Sequence, residues 1–248
     1  MAKIAIIGGS GLEDPNLLKE PKTVTVETPY GEPTSELTTG KIGEKEVVIL
    51  SRHGKKHTIP PTQVNNRANI WALKNQGCDF ILATTACGSL REEIDRGHLV
   101  ILDQFIDFTR HRITSFYEKF EGGVMKHTPM ADPFDEKIRK LLIESAEELY
   151  LTYHKKGTVI SIEGPRFSTR AESNMFRMWG ADVINMSVAP EVILANELGI
   201  PYAAIAMSTD YDCWKTDEES VTWEAVLEIF NQNVHNVIDL ILTTLKKV

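Results

Sequence analysis

The sequence predicts an α/β fold: a single domain with a mixed, largely parallel central sheet flanked by helices. Three observations carry this. Short apolar runs rich in Val and Ile alternate with longer amphipathic stretches, the order expected of strands and helices packed in layers. The strand-like runs end in glycine, hydroxyl or charged residues, as at the carboxyl edge of an open sheet, where α/β proteins bind ligands. No repeat, low-complexity segment or linker interrupts the 248 residues, so one domain over 1–248 is expected.

Lys3 to Ile7 reads as an apolar strand, followed at once by Gly8, Gly9, Ser10 and Gly11. Such a turn exposes backbone N–H groups that can cradle an anion, and it is equally an ordinary turn. The third glycine of a dinucleotide fingerprint is missing, and Glu13-Asp14-Pro15 stands where its long helix should begin. Residues 16–45 read as loops and short strands. Val47 to Leu50 is a strand that ends in Ser51-Arg52-His53-Gly54, with Lys55, Lys56 and His57 following. Arg52 and His53 suit an anion at a strand end, against the alternative of solvated loop charge. A metal pair of His53 and His57 is disfavoured, because glycine and lysines make this a loop and no carboxylate stands between them. Pro60-Pro61-Thr62 predicts the start of a helix running to about Asn75, with Gly77 ending it.

Phe80 to Ala83 reads as a strand, closing in Thr84-Thr85-Ala86-Cys87-Gly88-Ser89, a corner small enough for close approach to the backbone. Leu99 to Ile106 predicts one further strand. Residues 107–134 show no clear periodicity and hold Arg110, His111, Arg112, Phe116, Tyr117 and His127; a loop this long is functional or belongs to an assembly surface. Asp135 predicts the cap of a helix with apolar positions at Ile138, Leu141, Leu142 and Leu149.

Gly157 to Pro190 is the stretch around which the chain is organised. Thr158 to Ile162 is a buried-strand pattern ending in Glu163-Gly164-Pro165. Thr169 and Glu172 have capping-box spacing, which predicts a helix to Trp179, ended by Gly180. Ala181 to Ile184 is a short strand finishing in Asn185-Met186-Ser187, and Pro190 suits the first turn of the next helix. Two capped βα units explain most of this, but Phe167 and Met186 are large side chains at corners where small polar residues are usual. Tyr202 to Met207 is the last strand. Beyond it Asp210 and Asp212 would share a face of an extended backbone, or form an Asx-type turn. Thr222 to about Leu245 is a long helix with Val226, Leu227, Phe230, Val234, Val237, Ile238 and Ile241 as its apolar stripe.

Composition narrows the function classes. An apolar content of 42% and a charged content of 25% are those of a soluble globular protein. A net charge of -8 argues against nucleic acid and anionic membrane surfaces as partners. No apolar run approaches a membrane span, and no signal-peptide pattern opens the chain, so a cytoplasmic protein is expected. Cys78, Cys87 and Cys213 form no CxxC pair and are expected as reduced thiols. Several strand ends suit an oxyanion; Phe167-Ser168 and Asp210 to Asp212 suit a flat heterocycle with N–H groups. Anion plus heterocycle points to a nucleotide, or to phosphate plus a nucleoside.

The chain resembles the trimeric purine nucleoside phosphorylase family, on its methylthioadenosine-cleaving branch. The resemblance rests on GGSGL at 8–12, RHGKKH at 52–57, TTACGSLREEI at 84–94, IEGPRFSTRAES at 162–173, WGADVINMS at 179–187, PEV at 190–192 and TDYDCW at 209–214. It implies phosphorolysis of methylthioadenosine to adenine and 5-methylthioribose 1-phosphate, with inorganic phosphate as co-substrate and no cofactor or metal. It implies a phosphate site of Ser10, Arg52, His53, Thr85, Ala86 and Ser187. Met186 would lie along the ribose and Phe167 on the base. Asp210 would protonate the leaving adenine, with Asp212 accepting from its 6-amino group or bracing Asp210. Val226 and Leu227 match the pocket for the 5' group. Trp223 stands where the family usually carries a smaller aliphatic residue, which implies either a tighter pocket or an outward-turned ring. His127 matches a residue donated by a neighbouring subunit, implying a homotrimer. Ser168 and Asp210, where relatives acting on 6-oxopurines carry Glu and Asn, imply a 6-aminopurine. A methylthioinosine or broad-specificity purine nucleoside phosphorylase is the alternative. A Rossmann oxidoreductase and a non-catalytic nucleoside-binding protein are more distant ones.

Overall fold

A computed structural model describes residues 2–8, 18–217 and 221–248. Its strands are β1 (Lys3–Gly8), β2 (Lys19–Val24), β3 (Leu37–Ile42), β4 (Lys45–Ser51), β5 (Phe80–Ser89), β6 (Leu99–Ile101), β7 (Gln104–Phe108), β8 (Tyr153–His154), β9 (Thr158–Ile162), β10 (Val183–Asn185) and β11 (Tyr202–Asp210). Five α-helices among the described residues cover them: α1 (Asn66–Asn75), α2 (Glu136–Glu148), α3 (Arg170–Met178), α4 (Val188–Glu197) and α5 (Trp223–Lys247).

β5 is the centre of the sheet. Its first half pairs in parallel with β1, from Ile4 against Phe80 to Ile7 against Ala83. From Ile81 to Gly88 it pairs in parallel with β11, and its last residues pair antiparallel with β10. From β5 the sheet runs one way through β1, β4, β3 and β2, and the other way through β10, β9 and β7. Most of the central pairings are parallel, as the alternation of strands and helices predicts.

Side chains alternate across this sheet. Ala5 and Ile7 of β1 join a core with Ile70, Ala72 and Leu73 of α1 and Val192 and Leu194 of α4. Ile4 and Ile6 face the opposite core, with Ile138 and Leu142 of α2 and Leu240 and Ile241 of α5. Each fully buried Ile or Leu stabilises the fold by about 1.5–3 kcal/mol. A third cluster packs Phe176 of α3 on Ile160, Ile184 and Trp214.

Three elements differ from expectation. The prolines at 60 and 61 give only a short 3-10 turn over Pro61–Gln63. α1 starts afresh after Asn65, whose side-chain oxygen caps Ala68 N–H while its amide donates to the Tyr30 and Glu32 carbonyls. Those outside ties hold residue 65 out of helical geometry. The run 99–106 is two strands. Leu102 N–H donates to Ala204 O, and the Asp103 carboxylate captures Gly157 N–H at 2.9 Å, so the chain leaves β11 and starts again beside β9. β5 and β11 run beyond their apolar stretches to Ser89 and Asp210, because each satisfies the other's backbone groups as far as Gly88 and Asp210.

The capping signals at Asp135 and at Thr169 hold as read: Asp135 caps α2, and Thr169 and Glu172 form a reciprocal capping box on α3. Thr222, where the long helix is expected to begin, caps α5.

Candidate active site

The carboxyl ends of β4, β5, β9, β10 and β11 open into one cleft of about 680 Å³. It gathers Arg52, His53, Thr85, Ala86 and Ser187 at one end. Asp210, Asp212, Phe167 and Ser168 line the other end, with Met186 on the wall and Trp223, Val226 and Leu227 at the mouth. Ser10 lies outside the described residues. His127 is elsewhere: it lines a second hollow with Tyr117, Phe120, Lys126, Met130 and Glu197.

At the first end, Arg52 is almost wholly buried, yet lines the cleft. Its Nε and Nη2 donate to the two carboxylate oxygens of Glu191, the second at 3.0 Å, and Nη1 donates to Thr84 O at 2.8 Å. Tyr202 in turn donates its hydroxyl to Glu191 at 2.7 Å. A planar guanidinium held by both ends of one carboxylate has a fixed direction. His53 follows it; burial first, then the Arg52 charge, push its pKa down to about 4. Its ring is therefore neutral in the physiological range.

Asn185 ties this end together. Its amide donates to Thr85 Oγ1 at 3.3 Å, and its carbonyl oxygen accepts from the Ser161 hydroxyl at 2.7 Å. Ser161 Oγ also accepts from Ala189 N–H in the first turn of α4. The result aims the Thr85 and Ser187 hydroxyls, 3.3 Å apart, into the cleft beside the amino end of α4. Hydroxyls, a helix amino end and an arginine are the donors that hold an oxyanion.

At the other end, Asp210 and Asp212 do not share a strand face. The backbone leaves β11 at Tyr211, Asp212 adopts a φ of 49°, and Asp212 N–H donates to Asp210 Oδ1 at 2.7 Å. This is the Asx-type turn, and it still presents both carboxyls to the cleft. Thr209 donates to the other Asp210 oxygen at 2.8 Å. Burial raises the pKa of Asp210 despite these two donors, and burial also raises that of Asp212. Gly88 is required here, since a Cβ on it would stand 2.8 Å from Asp210 Oδ1 and 3.0 Å from Ile184. The Ser168 and Ser173 hydroxyls are buried near Asp212 without a completed hydrogen bond.

Glu163, just after β9, organises the wall of the cleft. Its carboxylate accepts from Arg110 N–H, His111 N–H and Arg112 Nε, and Arg112 also donates to its carbonyl at 2.6 Å. Gly164, at a φ of 67°, lets Met186 lie against the following turn; a Cβ there would meet the Met186 sulfur at 2.4 Å. Phe167 is 41% exposed and Trp223 46%. Trp223 both lines the cleft and stacks on His57 at 5.5 Å between ring centroids, and His57 stacks on His53 at 4.6 Å. The indole thus lines the cleft while staying about half exposed to solvent.

Sequence reasoning names Asn185, Gly88 and Glu163 only as strand-end residues, and Glu191 and Tyr202 only within a motif and a strand, without a site role of their own. Glu191 left a legible signal, a lone carboxylate in the apolar helix VAPEVILA. Asn185 left one too, as a polar residue ending an apolar strand.

The model of the Phosphorylase superfamily matches residues 3–246. A protein named S-methyl-5'-thioadenosine phosphorylase from Xenopus tropicalis is 54% identical over 252 residues, covering 99% of this chain and 89% of the relative. One of the same name from Danio rerio is 53% identical over 249 residues, with the same coverage. The solved structure of methylthioadenosine phosphorylase from Schistosoma mansoni in complex with adenine superposes with a TM-score of 0.93 at 44% identity, covering 98% of this chain and 91% of that one. A variant of the same organism's enzyme in complex with methylthioadenosine superposes with a TM-score of 0.92 at 43% identity, covering 98% and 90%.

Proposed function

The chain belongs to the phosphorylase superfamily, and we propose that it cleaves S-methyl-5'-thioadenosine with inorganic phosphate, releasing adenine and 5-methylthioribose 1-phosphate. The observation that supports this most is the polarity of the cleft. An oxyanion end built on Arg52, Thr85, Ser187 and the start of α4 faces a pair of enclosed carboxyls whose protonation burial favours. Relatives named for this activity cover nearly the whole chain.

The roles follow from the chemistry. Phosphate sits among Ser10, Arg52, His53, Thr85, Ala86 and Ser187. Breaking the N-glycosidic bond develops positive charge on the sugar, as in glycosidases. The phosphate dianion stabilises that charge, then captures C1' from its own side of the ring. Adenine leaves poorly as an anion, so Asp210 gives it a proton, a step available to a carboxyl kept neutral by burial. Asp212 accepts from the 6-amino group, beside Ser168. Phe167 covers the base, Met186 the ribose, and Val226, Leu227 and Trp223 the 5' group. The scheme needs no cofactor or metal. The preference for a 6-amino base rests on Ser168 and Asp210, which stand where relatives acting on 6-oxopurines carry Glu and Asn, and on Asp212, whose carboxylate accepts from an N–H but cannot donate to a 6-oxo group.

The active assembly is a homotrimer in which His127 of each subunit reaches the cleft of the next. Supporting this, the loop that carries His127 exposes Ile113, Val124 and Met125 at 59%, 61% and 70%, and it lies against the second hollow rather than its own cleft. No described helix is long and apolar enough to cross a membrane; a cytoplasmic location is proposed with the function.

The test is base release from methylthioadenosine, adenosine, methylthioinosine and inosine, each with and without phosphate. Phosphate-dependent adenine release, fastest from methylthioadenosine, is expected. Hypoxanthine release in its place would overturn the roles of Ser168 and Asp210, and release without phosphate would overturn the anion site.

A further inference from the structure

We infer that His53 is a hydrogen-bond acceptor in the anion site, and that it makes the site selective for an oxyanion carrying a hydroxyl, phosphate or arsenate, over one that carries none, such as sulfate. The inference rests on the phosphorylase reading above.

The geometry leaves one tautomer. His53 Nδ1 lies 2.8 Å from the Ile59 carbonyl oxygen. A carbonyl oxygen only accepts, so Nδ1 carries the proton. The same two residues are joined a second time, by Ile59 N–H donating to His53 O at 3.0 Å. The His57 ring covers one side of the imidazole, and Trp223 covers His57. Ring position and tautomer are therefore fixed before any ligand arrives.

The other ring nitrogen, Nε2, makes no hydrogen bond among the described residues, while His53 lines the cleft. Whether it is a second donor or a lone pair depends on the ring's charge. The ionisable groups that act on it are Arg52, His57 and Arg112, and each opposes protonation. Burial opposes it further and brings the pKa to about 4. Only the bond to Ile59 O favours the cation. In the unliganded site at neutral pH Nε2 is a lone pair, on a ring that lines the cleft.

A lone pair beside an oxyanion needs a proton between them. Hydrogen phosphate and hydrogen arsenate bring one on their own hydroxyl; sulfate brings none and would set two acceptors against each other. The same contact orients the nucleophile. The P–OH oxygen is turned to His53 and retains its proton, so the unprotonated oxygens face Arg52, Thr85, Ser187 and the sugar. One of these forms the bond to C1', and His53 neither gains nor loses a proton.

The full chain is titrated calorimetrically with inorganic phosphate, arsenate and sulfate at neutral pH. Phosphate and arsenate are expected to bind with similar affinity, and sulfate more weakly by on the order of tenfold or more. His53→Lys offers N–H donors only, and should bring the ratio of phosphate to sulfate affinity towards one by strengthening sulfate. Nitrogen NMR of the unsubstituted chain reads the tautomer directly, with a protonated Nδ1 and a bare Nε2 expected, so the test stands even if the variant misfolds. Sulfate binding as tight as phosphate, or a protonated Nε2, overturns the inference. If either occurs while base release still depends on phosphate, only the acceptor role of His53 is withdrawn. If base release does not depend on phosphate, the phosphorylase reading falls and this inference with it.

Discussion

At the scale of single residues, the decisive pair is Asp210 and Asp212. Burial raises both pKa values, so the fold carries a cost in order to keep a proton available. Asp210→Asn removes the acid while keeping the size of the side chain. kcat on methylthioadenosine should fall by about 10²–10⁴-fold, and full retained activity would refute the assignment. The same substitution should raise the melting temperature at neutral pH. A carboxyl whose folded pKa lies above its unfolded value favours the fold most below the unfolded value, and that contribution disappears as pH rises through the folded one. At neutral pH Asp210 is therefore a liability that an amide lacks, and each kcal/mol recovered is worth about 2–4 °C in a chain of this length. By the same logic, kcat of the unsubstituted enzyme should decline as pH rises through the raised pKa, because the proton needed for the leaving group is lost. A pH–rate profile with no such alkaline limb would remove Asp210 from the role.

At the scale of elements, α4 and α5 supply what the strand tips lack. α4 brings Glu191 under the sheet to hold Arg52, with both side chains almost fully buried. Replacing one partner of a buried pair leaves the other charge exposed to a poor medium, a loss of about 3–5 kcal/mol. Glu191→Gln should therefore destabilise strongly without ligand. Phosphate, the alternative counter-charge for Arg52, should produce a larger thermal shift in the variant than in the parent. An equal or smaller shift would mean that Arg52 does not face the anion. α5 brings Trp223 to the mouth. Trp223→Leu should raise kcat/KM for a nucleoside with a butylthio group, relative to the methylthio substrate, by about tenfold or more, with the KM for phosphate unchanged. Specificity left unaltered by that change would place the indole outside the pocket. These elements also show what the sequence makes legible. Thr169 with Glu172, and Asp135, announce their helices because capping chemistry is local. The tips of β4, β5 and β11 announce a ligand because polar residues end apolar runs. The partners of Asn65, Asp103 and Glu163 were not read, since each acts on a distant segment, Asn65 on Tyr30 and Glu32, Asp103 on Gly157, and Glu163 on residues 110–112. Spacing along the chain carries no trace of those contacts.

At the scale of the whole molecule, the loop over residues 107–134 joins the cleft to the outer surface. Its first part is pinned, with Arg112 clamped to Glu163 and with Ser115 and Phe116 held by Glu197. Its middle presents Ile113, Tyr117, Phe120, Val124 and Met125 to solvent in the isolated chain. Apolar side chains gathered this way on one segment mark an interaction surface, and burying each fully would contribute about 1.5–3 kcal/mol. His127 sits beside them, edge-on to Phe120. If this face joins subunits, assembly and nucleoside binding share one loop, whereas the described residues of the anion end come from the tips of β4, β5 and β10 and the start of α4. The two ends of the cleft should then respond differently to dissociation. Met125→Glu places a charge in the buried contact, and should convert the trimer to smaller species at micromolar concentration, as read by light scattering. The KM for methylthioadenosine should rise by about tenfold or more, the scale of one lost polar contact and its apolar surroundings. Phosphate should still bind to the dissociated chain with nearly its original affinity. A variant that dissociates yet keeps its nucleoside KM would mean that the cleft is complete within one subunit. A parent protein that is already monomeric would mean that the exposed loop serves another partner.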